Sequence, residues 1–263
     1  MSTTELTARY EWAVAIAREA GRHTLQFFQR ADLAVEIKSD SSPVTIADRQ
    51  AEQLLRQRIA ERFPQDAILG EEFGEQPGTT GYRWILDPID GTKSFVHGVP
   101  LYGTLVGVEH AERSVIGVNY LPALDEGVHA AVGQGAWHHR GTQPKQPARV
   151  SGVNDLRQSL VLSSEVRFPT AQRQQVLLDL AHAARINRTW GDCYGYLLVA
   201  TGRAEVMLDP IMALWDIAPM QPILEEAGGT LTDWQGNATI YSAEAIATNG
   251  KVLAEVLEIA RRG

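Results

Sequence analysis

The segment Ile85-Leu86-Asp87-Pro88-Ile89-Asp90-Gly91-Thr92 sets two carboxylates three residues apart at the end of an apolar run. Pro88 has no N–H to give a strand ladder, so the chain turns there and both acids can face one point. The Ile89 carbonyl lies between them and offers a third oxygen. Gly91 lets the backbone come close to an anion. Thr92 adds a hydroxyl where a helix can begin, and helix-start N–H groups favour phosphate. Oxygen-only donors of this kind suit hard cations such as Mg2+ or Mn2+. The same residue types also build a surface turn capped by aspartates, so this segment alone leaves two readings open.

Two further acid groups follow a similar plan. Glu71 and Glu72 come directly after Gly70 at the end of a short apolar run, and Asp216 follows Trp215 at a helix start. Each has an ordinary alternative: a solvated loop for the glutamates, an N-cap for Asp216. Taken together, three acid groups at strand ends and helix starts point to a cage for divalent cations.

The elements that must position these acids are legible as apolar periodicity. Residues 4–30 read as a helix and Leu33–Ile37 as a short strand. A turn-rich stretch leads to a helix that starts at Thr45 or Asp48 and stops at Pro64. Ala67–Leu69 and Tyr82–Leu86 read as buried strands. Leu105–Glu109, Val115–Tyr120 and Gly127–Ala131 read as an antiparallel meander. Gly133–Arg149, rich in Gly and Pro, reads as loop and edge. Beyond it follow strand Leu160–Ser163, helix Ala171–Ala184, helix Tyr194–Thr201, strand Val206–Leu208, helix Leu214–Ala227, strand Ala245–Thr248 and helix Val252–Arg261. Pro219 suits a first turn, whereas Pro222 is expected to kink the helix opened by Asp216.

Composition narrows the function. The 263 residues carry a net charge of −8, which argues against a general nucleic-acid binder. An anionic substrate would then need bound cations to reverse the local sign of the acids. Cys193 is the single cysteine, so no intramolecular disulfide forms. No apolar run reaches the roughly 18–20 residues of a membrane span. The amphipathic N-terminus, with Glu5, Glu11 and Glu19, does not read as a signal peptide. A cytoplasmic protein is expected. His138-His139 lacks the spacing of a zinc pair, no phosphate-binding Gly-x4-Gly-Lys loop is present, and Cys193 reads as a small buried residue.

Taken in order, Asp40-Ser41-Ser42-Pro43-Val44-Thr45-Ile46-Ala47-Asp48, Gly70-Glu71-Glu72, Trp84 through Thr92, and Trp215-Asp216 with Glu226-Ala227-Gly228-Gly229 resemble the inositol-monophosphatase superfamily. The likeness runs along nearly the whole chain. It implies an α/β fold of the α+β type, an alternating αβαβα layered sandwich. It implies one domain over residues 1–263, with a metal- and phosphate-binding lobe near 1–145 and a substrate-recognition lobe near 146–263. It also implies a homodimer that acts on a small phosphorylated metabolite. By this resemblance Glu71, Asp87, the Ile89 carbonyl, Asp90 and Asp216 hold magnesium (Mg2+) and border the substrate. Asp48 and Thr92 orient and deprotonate the attacking water, and Glu71 touches the same water. The Gly91 and Thr92 amides hold phosphate oxygens. Glu72 and Lys38 stand behind this set.

Within the family, the segment from Arg188 to Glu205 most resembles the branch that cleaves histidinol phosphate. The inositol-type branch commonly has a small hydroxyl residue where this chain has Asp192. Histidinol phosphate carries an ammonium and an imidazole that can protonate, and an acidic wall favours such a cation. Beside the neutral hydroxyls of an inositol, the same acid would be desolvated without a charge partner. Asp209 aligns with a family acid that contacts the leaving group. Arg188 is expected to pair with Asp192 or Asp209 or to touch the substrate. Asp192 also suits a helix N-cap before Tyr194, and Trp190 and Tyr194 suit either a frame for an imidazole or the core. The rival readings are a broad inositol-type or nucleotide 3′-phosphatase, and a catalytically silent phosphate-metabolite binder.

Overall fold

The computed structural model describes residues 2–37 and 43–262. Lys38 and the Asp40-Ser41-Ser42 part of the first signature segment lie outside the described residues. The first half contains α1 (Thr3–Thr24), β1 (Val35–Ile37), β2 (Pro43–Thr45), α2 (Ile46–Arg62), β3 (Ala67–Gly70), β4 (Gly74–Gln76), β5 (Tyr82–Asp90), α3 (Thr92–Val96), β6 (Gly103–His110), β7 (Arg113–Leu121), β8 (Glu126–Ala131), β9 (Ala136–Arg140) and β10 (Gln146–Pro147). Eight of these strands form one sheet, in the order β10-β9-β8-β7-β6-β5-β3-β4. All its neighbours run antiparallel except β3 and β5.

The second half contains β11 (Leu160–Ser163), α4 (Ala171–Ala183), β12 (Ile186–Arg188), α5 (Cys193–Ala200), β13 (Val206–Asp209), α6 (Leu214–Ile217), α7 (Met220–Ala227), β14 (Thr230–Thr232), β15 (Ala245–Thr248) and α8 (Leu253–Ala260). A five-stranded sheet has the order β12-β11-β13-β15-β14.

Side-chain alternation along the strands builds the layers. On β5, Trp84 and Leu86 pack with Leu6, Ile16, Leu55 and Ile59 of α1 and α2. Ile85, between them, faces the opposite way and packs with Leu197, Ile217 and Ile223 of α5, α6 and α7. On β13, Met207 joins that same central cluster. Val206 and Leu208 instead meet Val176, Leu180 and Val256 of α4 and α8. The result is helix, sheet, helix, sheet, helix: the αβαβα sandwich.

Three local expectations are corrected. The first helix ends at Thr24, not near residue 30. Phe27 and Phe28 turn away to pack on Ile89, Phe95 and Tyr102 beneath the Asp-Pro-Ile-Asp segment. Gly133–Arg149 is not simply loop, because β9 adds to β8 through Ala136↔Ala130 to Arg140↔Glu126 and β10 closes the edge. The helix opened by Asp216 divides at Ala218-Pro219 into α6 and α7. Pro222 then occupies the first turn of α7, where a missing N–H matters least. The Ala218 carbonyl, which Pro222 cannot serve, accepts the Ser114 hydroxyl at 2.6 Å instead.

Candidate active site

β5 runs on through Asp87 to Asp90, with its register to β6 shifted between those two residues. Asp87 Oδ1 accepts the Ile89 N–H at 3.0 Å, and Thr104 donates to the Pro88 carbonyl at 2.8 Å. These bonds hold the irregular segment in a fixed shape. Glu71 lies alongside, its N–H donating to the Leu86 carbonyl at 3.2 Å. Asp216 sits in the first turn of α6 and accepts the Ala213 N–H at 2.7 Å. Asp87, Asp90 and Asp216 each present an oxygen within 4.8 Å of the others.

Gly91 has a left-handed backbone, φ 82°, and opens α3. A Cβ there would stand 3.2 Å from both Asp192 Oδ2 and the Leu101 carbonyl, so glycine serves both the turn and the close approach. Thr92 Oγ1 donates to the Ile89 carbonyl at 3.0 Å and lies 3.4 Å from Asp48 Oδ1. Asp48 is itself fixed by Thr45, whose N–H and hydroxyl both donate to Oδ2 at 2.8 and 2.7 Å. This capping box starts α2 at Ile46, with Thr45 as its N-cap.

The electrostatics follow from crowding acids in a buried place. Burial foremost, then the neighbouring charge of Asp216, pushes Asp90 up to about 7. Burial, opposed by the Ala213 N–H and reinforced by the charge of Glu71, raises Asp216 to about 7. Asp87 is raised well above the usual carboxylate range by burial and by Glu71, Asp90 and Asp216. Asp48 rises to about 6 through burial, against its Thr45 bonds and with the charge of Glu72 nearby. Like charges this close ionise together only when a cation joins them. The donor set, all oxygen, fits a hard divalent cation, so the cluster passes on its own chemistry as a metal cage.

A cavity of about 310 Å³ opens over the cluster, lined by Glu71, Asp87, Ile89, Asp90, Gly91, Thr92, Asp192 and Asp216, with Lys93, Ile211 and Trp215 at its walls. A smaller recess of about 50 Å³ shares Asp90, Asp192 and Asp216 and adds Tyr196 and Asp209. Asp209 is buried, accepts hydroxyls from Ser164 and Tyr196, and is raised well above its ordinary range, by burial first.

Asp192 makes no N-cap bond to α5, and its backbone has φ 52°. Burial, then the charge of Asp90, raises it to about 7, with Lys93 the opposing cation. Arg188 lies elsewhere. It is on the edge strand β12, exposed, and donates to the carbonyl of Asn187 at 2.7 Å. Among the described residues it pairs with neither Asp192 nor Asp209 and lines neither cavity. Trp190 is 43% exposed, Tyr194 packs on the central core, and neither reaches the cavity wall. His138 and His139 lie on β9 rather than in a loop, and His138 pairs with Glu126 at 2.8 Å.

Sequence reasoning missed three contributors. Glu52 of α2, fully buried, accepts the N–H groups of Glu72 at 2.7 Å and Phe73 at 3.3 Å and so holds the turn that carries Glu71. The backbone N–H of Cys193 binds Asp90. Ile211, 69% exposed, forms an apolar lip on both recesses. Only Glu52 left a trace in the sequence, as an acid on the apolar side of a helix.

The chain matches the inositol monophosphatase family over residues 5–262, and it belongs to that family. The histidinol-phosphatase of Chlorobaculum parvum is 43% identical over 242 residues, which are 92% of this chain and 92% of that protein. The inositol-1-monophosphatase of Rhizobium meliloti is 31% identical over 236 residues, 88% of this chain and 87% of that protein. The crystal structure of the extragenic suppressor protein suhB from Bartonella henselae superposes with a TM-score of 0.90 at 27% identity, covering 97% of this chain and 99% of that one.

Proposed function

We propose that this phosphoric monoester hydrolase cleaves L-histidinol phosphate to L-histidinol and inorganic phosphate, with magnesium as its metal. The observation that carries the reading is Asp192. Its carboxylate stands in the wall shared by both recesses, caps no helix, and has no arginine or histidine beside it among the described residues. Asp209 deepens the acidic end of the recess. Lys93, the cation opposing Asp192, is itself paired with Glu165 at 2.6 Å, so an ammonium or imidazolium on the leaving group adds charge that such a wall favours, and the uncharged hydroxyls of an inositol do not supply it. The similarity to the Chlorobaculum parvum histidinol-phosphatase supports the same choice.

Glu71, Asp87, the Ile89 carbonyl, Asp90 and Asp216 would hold the metal. Bound magnesium supplies positive charge against the phosphate oxygens and acidifies water in its coordination shell. The chain's own residues do the rest. The N–H groups at Gly91 and Thr92 open a helix toward the cavity and donate to phosphate oxygens. The Thr92 hydroxyl, set by the Ile89 carbonyl, takes a proton from the attacking water as it gives its own to Asp48, whose raised pKa suits a general base near neutral pH. The water oxygen bonds to phosphorus as the phosphorus–oxygen ester bond breaks. Ser164 and Tyr196 fix Asp209 where it can meet the leaving alcohol.

The test is kcat/KM with magnesium on L-histidinol phosphate, inositol 1-phosphate, a sugar bisphosphate and adenosine 3′,5′-bisphosphate. A strong preference for the first is expected. Equal efficiency on the first two substrates overturns the substrate choice, and release of phosphate from none overturns the activity. The family resemblance also supports a cytoplasmic homodimer, which light scattering on the purified protein checks for its subunit count.

A further inference from the structure

Tyr10, Val14 and Arg18 fall four residues apart on α1, one stripe of the helix. The stripe faces the outer strands β8 and β9 and leaves a cavity of about 400 Å³ between helix and strands. That volume lies within the range of small-ligand sites, and among the described residues the cavity shares no lining residue with the one over the acid cluster.

One wall of it is built with unusual care. His139 is 6% exposed, yet neither ring nitrogen has a hydrogen-bond partner among the described residues. The Cε1–Nε2 edge of its ring packs against Gly127 on the paired strand, where a Cβ would stand 2.6 Å from His139 Cε1. Tyr120 stacks on it at 5.7 Å and 26°. The imidazole is therefore held in place with both nitrogens buried and unmatched in the wall beside the cavity. A buried polar group left unmatched destabilises the fold that holds it. Across the cavity, on α1, Arg18 Nε is another buried atom without a hydrogen-bond partner among the described residues. His129, beside it, is pinned by the Tyr10 hydroxyl at 2.6 Å.

Charge selects the occupant. Burial first, then the positive neighbours His139, Lys145 and Arg18, lowers His129 to about 3. Burial and Arg18 lower His139 to about 4. Both rings are neutral near pH 7 and act as hydrogen-bonding groups. Among the described lining residues the charge comes from Arg18 and Lys145 against Glu11, while Asp125 and Glu126 act on His139 from outside the lining. In a chain of net charge −8 this is a local excess of positive potential.

We propose that this cavity is a second ligand site, for a small carboxylate- or phosphate-bearing anion held by Arg18, His139 and Lys145. It is independent of the substrate assigned above.

The test uses the full chain, magnesium-loaded and 15N-labelled, titrated separately with inorganic phosphate and with acetate at constant ionic strength. The readout is the imidazole resonances of His129 and His139, assigned with His139→Gln. A saturable shift with one anion or both is expected, and the anion that saturates identifies the chemistry. Loss of a charge-assisted contact in Arg18→Ala should weaken binding about tenfold or more. Lys145→Ala, an exposed position that leaves the fold undisturbed, should weaken it less. Inhibition of turnover by phosphate, which reads the acid cluster, should be unchanged in both variants. Shifts that rise linearly with both anions, or a midpoint that neither variant moves, overturn the proposal.

Discussion

The backbone N–H of Cys193 donates to Asp90 Oδ2 at 2.6 Å. The start of α5 thereby orients a carboxylate carried by β5, 103 residues earlier in the chain. Because the donor is backbone, an asparagine at 90 can still turn its amide oxygen to it. Asp90→Asn should therefore fold with a melting temperature close to that of the parent. It should lose turnover by about 10³-fold or more, the several kcal/mol a correctly held metal contributes to the transition state. Phosphate release and thermal melting, measured together, check both halves. A fully active variant would remove Asp90 from the cage.

Asp192→Asn keeps the volume of the side chain and removes its charge. A hydrogen bond to a charged group contributes about 1.5–3 kcal/mol, so kcat/KM on L-histidinol phosphate should fall about tenfold or more. The rate on inositol 1-phosphate should stay level or rise, since that substrate offers no cation. Parallel losses on both substrates would make Asp192 a structural acid and end the specificity argument.

Asp90 and Asp216 stand near 7 when no cation is bound, against about 3.9 for an unfolded aspartate. Between those values the folded chain binds more protons than the unfolded chain, so the metal-free protein loses stability as pH rises from about 4 to about 7. Magnesium needs the ionised acids and replaces those protons. The gap in melting temperature between magnesium-loaded and chelated protein should be widest above pH 7 and narrowest near pH 5. Chelation should abolish turnover at every pH. A gap independent of pH would mean that the buried acids are not the ligands.

Most elements were legible because their signal is local, in apolar period, caps and turn residues, whereas the αβαβα layering came with the family resemblance. β11 was read to the residue, and Thr45 was read as a possible start for α2. The misses share a non-local cause. β9 owes its existence to pairing with β8, since its own sequence carries Trp137, two histidines and Arg140 with no apolar alternation. The end of α1 is set by Phe27 and Phe28 packing beneath β5, which nothing near residue 24 announces. In the site, Asp87 and Asp90 stood out by their spacing, while Asp48, Asp192 and Asp209 entered with the family resemblance. The placement of Arg188 on an exposed edge strand depended on β12 pairing with β11, and no local pattern marked it.

Glu52 shows how the cage depends on a residue outside it. Its carboxylate receives Arg56 Nε at 2.7 Å and the N–H groups of Glu72 and Phe73, directly after Glu71. Gly70 is the neighbour that makes this possible: a Cβ there would stand 2.0 Å from Glu52 Oε1. Glu52→Gln keeps the shape but loses the charge and puts an amide NH2 where an acceptor is required. Weakening those charged hydrogen bonds should raise the magnesium concentration for half-maximal rate about tenfold, while the substrate preference stays as in the parent. Gly70→Ala should do the same by displacing the carboxylate, with an added loss of thermal stability. A magnesium titration of the initial rate decides it. If both variants keep the parent's magnesium dependence, Glu52 supports the fold alone and the turn bearing Glu71 is held by other contacts.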